Sequence, residues 1–116
     1  MSDACDLLCL DLEKAETLRQ NRLGLDIADE LARRADGLGD PTRVALALAV
    51  RGGEELCVCD LSWVVERPEK VVSHHVRKMR TAGVLQSRRD GRMVMYSLTD
   101  EGRRLLDALT PNEVTA

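Results

Sequence analysis

The hydrophobic pattern changes period at Gly83, and that change constrains the fold more than any other feature of the chain. Before it, Glu69–Ala82 places Val72, Val76 and Met79 on one face by i, i+4, i+7 spacing, the repeat of an amphipathic helix. After it, Val84–Arg89 and Arg92–Leu98 are short runs rich in Val, Leu, Met and Tyr, joined by Asp90-Gly91, a pair that two-residue hairpins prefer. Upstream, Glu54–Glu66 reads as a further helix, separated from Glu69–Ala82 only by Arg67-Pro68. Two helices around a tight turn form a helix-turn-helix, and a hairpin directly behind the second is a wing.

The flanking segments complete an order that is mainly α with a small β-hairpin, a winged helix-turn-helix. Asp36–Asp40 reads as a turn, with Asp40 as N-cap and Pro41 at the first position of a helix whose Val44–Val50 is apolar on every face and which Gly52-Gly53 stops. Leu12–Ala35 has helical composition with an apolar stripe of Leu18, Leu25, Ile27, Leu31 and Ala35, and Gly24 predicts one broken helix or two. Thr99 caps a last helix with Asp100 and Glu101 in its first turn and Leu105, Leu106 and Leu109 on one strip, before Pro111 ends it.

With 116 residues there is room for a single domain. The expected division is an N-terminal arm over 1–11, a DNA-binding and dimerisation domain over 12–110, and a tail over 111–116. The chain has no Phe, one Trp (Trp63) and one Tyr (Tyr96), so its core must come from Leu, Val, Ala and Met, which bury less area per residue than aromatics. A homodimer sharing apolar surface through the terminal helices is the expected remedy. The acidic start and the lack of a 20-residue apolar run predict a cytoplasmic protein with no membrane partner.

The formal charge is −3, but it is unevenly spread. Arg67–Arg92 contains eight Lys or Arg against Glu69 and Asp90, a local excess of +6 that leaves −9 on the remainder. A basic block in an acidic chain reads either as one polyanion-binding face or as a solvated surface. Within it, Lys70, Ser73, His74 and Arg77 fall on the helix face opposite the apolar one. The scarcity of aromatics excludes a platform for stacking single-stranded bases.

Four cysteines form two close pairs, Cys5-x3-Cys9 and Cys57-x-Cys59. An i, i+4 pair shares one face if the arm is helical, whereas an i, i+2 pair converges only near a helix start where the backbone is not yet regular. A helix N-terminus also favours thiolate, the form that binds metal. Four thiolates would make a soft site suited to Cd(II), Pb(II) or Zn(II) and poor for Mg or Ca. Buried inert thiols and a redox pair are the other readings. A thiol oxidoreductase is disfavoured, because the chain lacks Cys-x-x-Cys in an alternating strand and helix context.

These motifs resemble the ArsR/SmtB family of bacterial metal-responsive repressors. The likeness runs through Asp40-Pro41-Thr42-Arg43, Glu55-Leu56-Cys57-Val58-Cys59-Asp60-Leu61, Ser73-His74-His75-Val76-Arg77, Asp90-Gly91-Arg92 and Tyr96-Ser97-Leu98. The arm, Cys5-Asp-Leu-Leu-Cys9, looks like that of CadC-type cadmium and lead sensors. The resemblance implies a dimeric repressor of double-stranded operator DNA, with Lys70, Ser73, His74 and Arg77 facing the DNA and Arg89 and Arg92 on the wing. It implies Cys5, Cys9, Cys57 and Cys59 as ligands of an effector ion, with As(III), Sb(III) or oxidation of the same thiols as alternative signals.

Two departures from the family bear on the metal. Arsenic sensors with a third cysteine three residues beyond the pair would need it where this chain has Ser62. A second zinc site on the last helix would need a histidine where Gly102 stands, so no such site is expected.

Overall fold

Asp40 starts the helix around which the domain is built. Its carboxylate accepts the backbone N–H groups of Thr42 at 2.8 Å and Arg43 at 3.3 Å, and Pro41 occupies the first turn, where a missing N–H costs nothing. In the computed structural model, which describes residues 4–7 and 9–110, the elements are α1 (Leu12–Asn21), α2 (Leu25–Asp36), α3 (Pro41–Gly53), α4 (Val58–Val65), α5 (Glu69–Thr81), β1 (Leu85–Asp90), β2 (Met93–Leu98) and α6 (Asp100–Leu109). The expected tail over 111–116 and arm positions 1–3 and 8 lie outside the described residues.

Leu46, Ala47 and Val50 of α3 are fully buried, against Leu61 of α4, Val72, Val76 and Met79 of α5, the roots of the hairpin at Leu85, Tyr96 and Leu98, and Leu106 of α6. The core is aliphatic, and of the two aromatic residues only Tyr96 enters it, while Trp63 is 86% exposed. Among the described residues, the interior carries one charge. Arg43, at 6% exposure, donates from Nε and Nη2 to the Asp36 carbonyl at 3.1 and 2.9 Å, and its Nη1 lies 3.3 Å from His75 Nδ1. One guanidinium thereby fastens the end of α2 and the start of α3 to α5.

Two local expectations are corrected, and a third point, left open, is decided. Glu54–Leu56 is not helical: Glu54 turns the chain at φ +68°, Leu56 forms a β-bridge with Tyr96, and α4 begins only at Val58. The hairpin pairs Asp90 with Met93, which puts Gly91-Arg92 at the tip in place of Asp90-Gly91. Gly91 takes φ +63°, the left-handed first position for which two-residue turns select glycine. The arm residues that are described, including Cys5 and Cys9, are not helical.

Leu12–Ala35 divides into two helices, with Gly24 as the N-cap of the second. Neither α1 nor α2 buries a residue. Leu25, Ile27 and Leu31 of α2 and Leu109 of α6 remain exposed, and Arg34 pairs with Glu101 at 2.8 Å to hold α2 beside α6. The last helix begins as expected, with the Thr99 hydroxyl accepting from Gly102 N–H at 2.9 Å. Gly102 is required by close approach, because a Cβ there would lie 2.1 Å from the Val84 carbonyl oxygen. A histidine at this position is excluded by packing, so the last helix cannot acquire the family's second ligand pattern without moving off the wing.

Gly102→Ala is expected to destabilise the protein by about 1–3 kcal/mol, the usual cost of forcing atoms into a close-packed contact, as read by urea denaturation at fixed protein concentration. A second prediction concerns acid. Burial holds the His75 imidazole below its ordinary range, and Arg43 adds to the effect. The unfolded chain therefore binds a proton that the folded chain refuses, so stability is complete above the unfolded value of about 6.5 and falls as pH drops below it. His75→Asn, which keeps an acceptor near the Nδ1 position, should flatten that dependence between pH 7 and 5 in the same assay.

Candidate metal centre and nucleic-acid interface

Cys57 is the N-cap of α4, with extended backbone at φ −88° and ψ 171°. It is therefore free of helical spacing, which an i, i+2 pair needs if Cys57 and Cys59 are to share one ion. Both sulfurs face carboxylates. The Cys57 thiol donates to Asp60 Oδ2 at 3.3 Å, and the Cys59 thiol donates to Glu69 Oε1 at 3.1 Å. Glu69 is the first residue of α5, so the second contact ties the cysteine segment to the start of the next helix.

The helix start was expected to favour thiolate at this pair. At Cys59 the opposite holds: the neighbouring Glu69 carboxylate, by hydrogen bond and by charge, pushes the thiol above its ordinary range. A full negative charge in contact outweighs the partial positive charge of a helix terminus. Cys59 is thus kept as a protonated donor until something displaces the proton.

In the arm, Cys5 and Cys9 are both exposed, and the neighbouring Cys9 thiol pushes Cys5 above its ordinary range. The donor set suits a thiophilic ion, two soft sulfurs in each place. Among the described residues, no group of three or more His, Cys, Asp or Glu side chains within one chain is arranged to hold a metal. The two pairs therefore do not form one cluster within the chain. Ser62, in the position of a third sulfur, donates its hydroxyl to the Arg67 carbonyl across the turn between α4 and α5.

On α5, Lys70, His74 and Arg77 are exposed and Ser73 is half-buried, with its carbonyl accepting from Arg77 Nε at 3.2 Å. His75 is the inward histidine. Arg89 lies near the end of β1, and Arg92 sits at the hairpin tip. Ion pairs take up two cations of the basic block, Lys78 with Asp36 at 3.2 Å and Arg88 with Glu55 at 2.6 Å. Arg67, Lys70, Arg77, Arg80, Arg89 and Arg92 form no ion pair among the described residues, so most of the excess charge remains available to an external polyanion.

Sequence patterns did not single out Glu55, Glu69 or Trp63. Glu69 was legible as an acid in a first turn, but nothing in the linear order pairs it with Cys59. Trp63 lines a recess of about 670 Å³ together with Cys59, Ser62, Arg67 and Glu69.

Comparison with known proteins decides the lineage. Residues 40–87 match the model of the arsR family of bacterial regulatory proteins. The chain is 38% identical over 96 residues to the transcriptional repressor SmtB homolog of Synechocystis, spanning 83% of this chain and 72% of that one. The chain belongs to the ArsR/SmtB family. It is also 33% identical over 103 residues to the cadmium resistance transcriptional regulatory protein CadC homolog of Staphylococcus aureus, over 85% of this chain and 81% of that protein. The family consists of metal-responsive, DNA-binding transcriptional repressors rather than enzymes. The ArsR/SmtB fold is matched by the homodimeric winged helix-turn-helix domain of a possible ArsR-family regulator from Mycobacterium bovis. The TM-score is 0.65 at 19% identity, over 94% of this chain and 86% of that one.

Removing the carboxylate charge tests the local electrostatics. In Glu69→Gln, Cys59 should be alkylated by iodoacetamide faster than in the parent at pH 7.5, with Cys5 and Cys9 in the same samples as internal references. An unchanged rate at Cys59 would show that Glu69 does not govern its ionisation.

Proposed function

We propose that this ArsR/SmtB protein is a homodimeric repressor that binds operator DNA and leaves it when a soft thiophilic ion, Cd(II), Pb(II) or Zn(II), is bound by Cys5, Cys9, Cys57 and Cys59. The observation that carries the reading is the Cys59–Glu69 contact, which links a thiol pair to the first turn of the DNA-reading helix. The dimer is supported by the exposed apolar residues of α2 and α6, which lack a partner within one chain. Because the two thiol pairs do not form one cluster in a single chain, closure of a four-sulfur site must bring the arm to Cys57 and Cys59, within one subunit or across the dimer. A reducing cytoplasm keeps the thiols competent.

On operator DNA, two α5 helices enter successive major grooves, at a spacing that the symmetry of the dimer dictates. Lys70, Ser73, His74 and Arg77 supply the contacts to base edges and nearby phosphates, and Arg89 and Arg92 add charge from the wing. The ion supplies strong attraction for thiolates. Everything else is done by the chain. Cys59 gives up its proton on ligation, and with it the hydrogen bond to Glu69. Glu69 is then left beside a sulfur that no longer donates, and the first turn of α5 loses its tether to α4.

A loss of operator affinity of about 100-fold corresponds to a coupling free energy of about 2.7 kcal/mol, and DNA must weaken metal binding by the same factor. Titration of the reduced protein with Cd(II) should give thiolate-to-metal ultraviolet absorption at one ion per subunit. It should also lower affinity for the protein's own upstream DNA, read by fluorescence anisotropy. Cys57→Ser and Cys59→Ser should each abolish both effects. A full metal response in those variants defeats the reading, and release by peroxide alone in metal-free buffer would assign the signal to oxidation.

A further inference from the structure

The segment that carries Cys57 is also built into the wing. Leu56 N–H donates to the Tyr96 carbonyl at 3.0 Å and Tyr96 N–H donates to the Leu56 carbonyl at 2.8 Å. Since β1 pairs with β2 through Ser87 and Tyr96, Leu56 occupies the other edge of β2. Beside it, Arg88 of β1 donates from Nε and Nη2 to the two Glu55 carboxylate oxygens at 2.7 and 2.6 Å. Arg88 stands opposite Met95 in the register, so this bidentate pair reaches over β2 and joins the outer strands.

We propose that residues 55–57 act as a short third strand of the wing. Occupation of the cysteine site then acts on the wing as well as on α5, with Glu55 and Arg88 as positioning residues. The inference rests on the metal-release reading above. The physical argument is one of shared backbone. Cys57 is at once the end of this extended strand and the N-cap of α4, so the same φ and ψ serve both. Turning Cys57 towards additional sulfurs changes those angles and loosens the Leu56–Tyr96 pairing one residue away.

The hairpin is anchored in the core only at its root, through Leu85, Tyr96 and Leu98, and the third edge adds a second hold on its orientation. The tip residue Arg92 lies roughly 13 Å beyond the Tyr96 bridge at ordinary strand rise, so a rotation of about 10° moves it by about 2 Å. That displacement exceeds the tolerance of a hydrogen bond to phosphate. Most exposed ion pairs contribute little, but a bidentate arginine–carboxylate pair is the geometry in which they count.

The test uses the full-length protein with and without one equivalent of Cd(II) per subunit. Amide hydrogen exchange at Leu56 and Tyr96 should quicken by roughly tenfold on loading, while amides in the ladder between β1 and β2 keep their protection. Glu55→Gln should bind Cd(II) with unchanged absorption and affinity, yet lose about two- to fivefold less operator affinity on loading than the parent. The charge-reversed pair, Glu55→Arg with Arg88→Glu, should restore the parental response. Unchanged or slowed exchange at Leu56 and Tyr96, or a parental response in Glu55→Gln, overturns the inference. If the parent itself is not released by Cd(II), the metal-release reading fails and the wing inference with it. Release with an undisturbed wing defeats the inference alone.

Discussion

A guanidinium taken out of water must be satisfied on every side, and the way Arg43 is satisfied sets the pose of the DNA-reading helix. Its donors meet the Asp36 carbonyl at the end of α2 and approach Nδ1 of His75 on α5, while its own backbone N–H is capped by Asp40. Arginine cannot give up its proton, so the contact at 3.3 Å requires His75 Nδ1 as acceptor, and burial holds the imidazole below its ordinary range. Val72, Val76 and Met79 press the same helix onto Leu46, Ala47 and Val50. Hydrophobic burial is non-directional and permits α5 to rotate or slide, and the Arg43 cluster removes that freedom.

The rotation so chosen turns Lys70, His74 and Arg77 outward together, and Lys70 and Arg77 form no ion pair among the described residues. It also brings Glu69 to Cys59. The thiol pair is therefore connected to the DNA-reading helix by a side-chain contact that exists only while the sulfur keeps its proton. On its other flank, Leu56 and Glu55 anchor the same few residues to the hairpin. A short irregular segment between α3 and α4 is thus the junction of α5 and the hairpin. Its irregularity frees Cys57 from helical spacing relative to Cys59.

The element order was legible because it depends on local chemistry. Asp40-Pro41 and Thr99 mark helix starts through their own hydrogen-bonding and backbone preferences, Gly24 marks a weak point within Leu12–Ala35, and the i, i+4, i+7 repeat of Val72, Val76 and Met79 holds however the helix packs. The errors fell where a distant partner decides. Glu54–Leu56 has helical composition, but pairing with Tyr96, forty residues on from Leu56, outweighs a propensity of a few tenths of a kcal/mol per residue. The hairpin tip moved to Gly91-Arg92 because the register follows the burial of Leu85, Tyr96 and Leu98, not the turn pair alone.

Residue order by itself determined the winged helix-turn-helix, the basic block from Arg67 to Arg92 and the presence of two sulfur pairs, since periodicity, charge and side-chain identity travel with the chain. Tertiary structure decided which carboxylates those sulfurs face, which cations of the basic block are neutralised, and that Gly102 admits no side chain against Val84. These are relations across space between residues far apart in sequence. Their sign and strength depend on distances of a few ångströms, and only packing of the complete domain sets those distances.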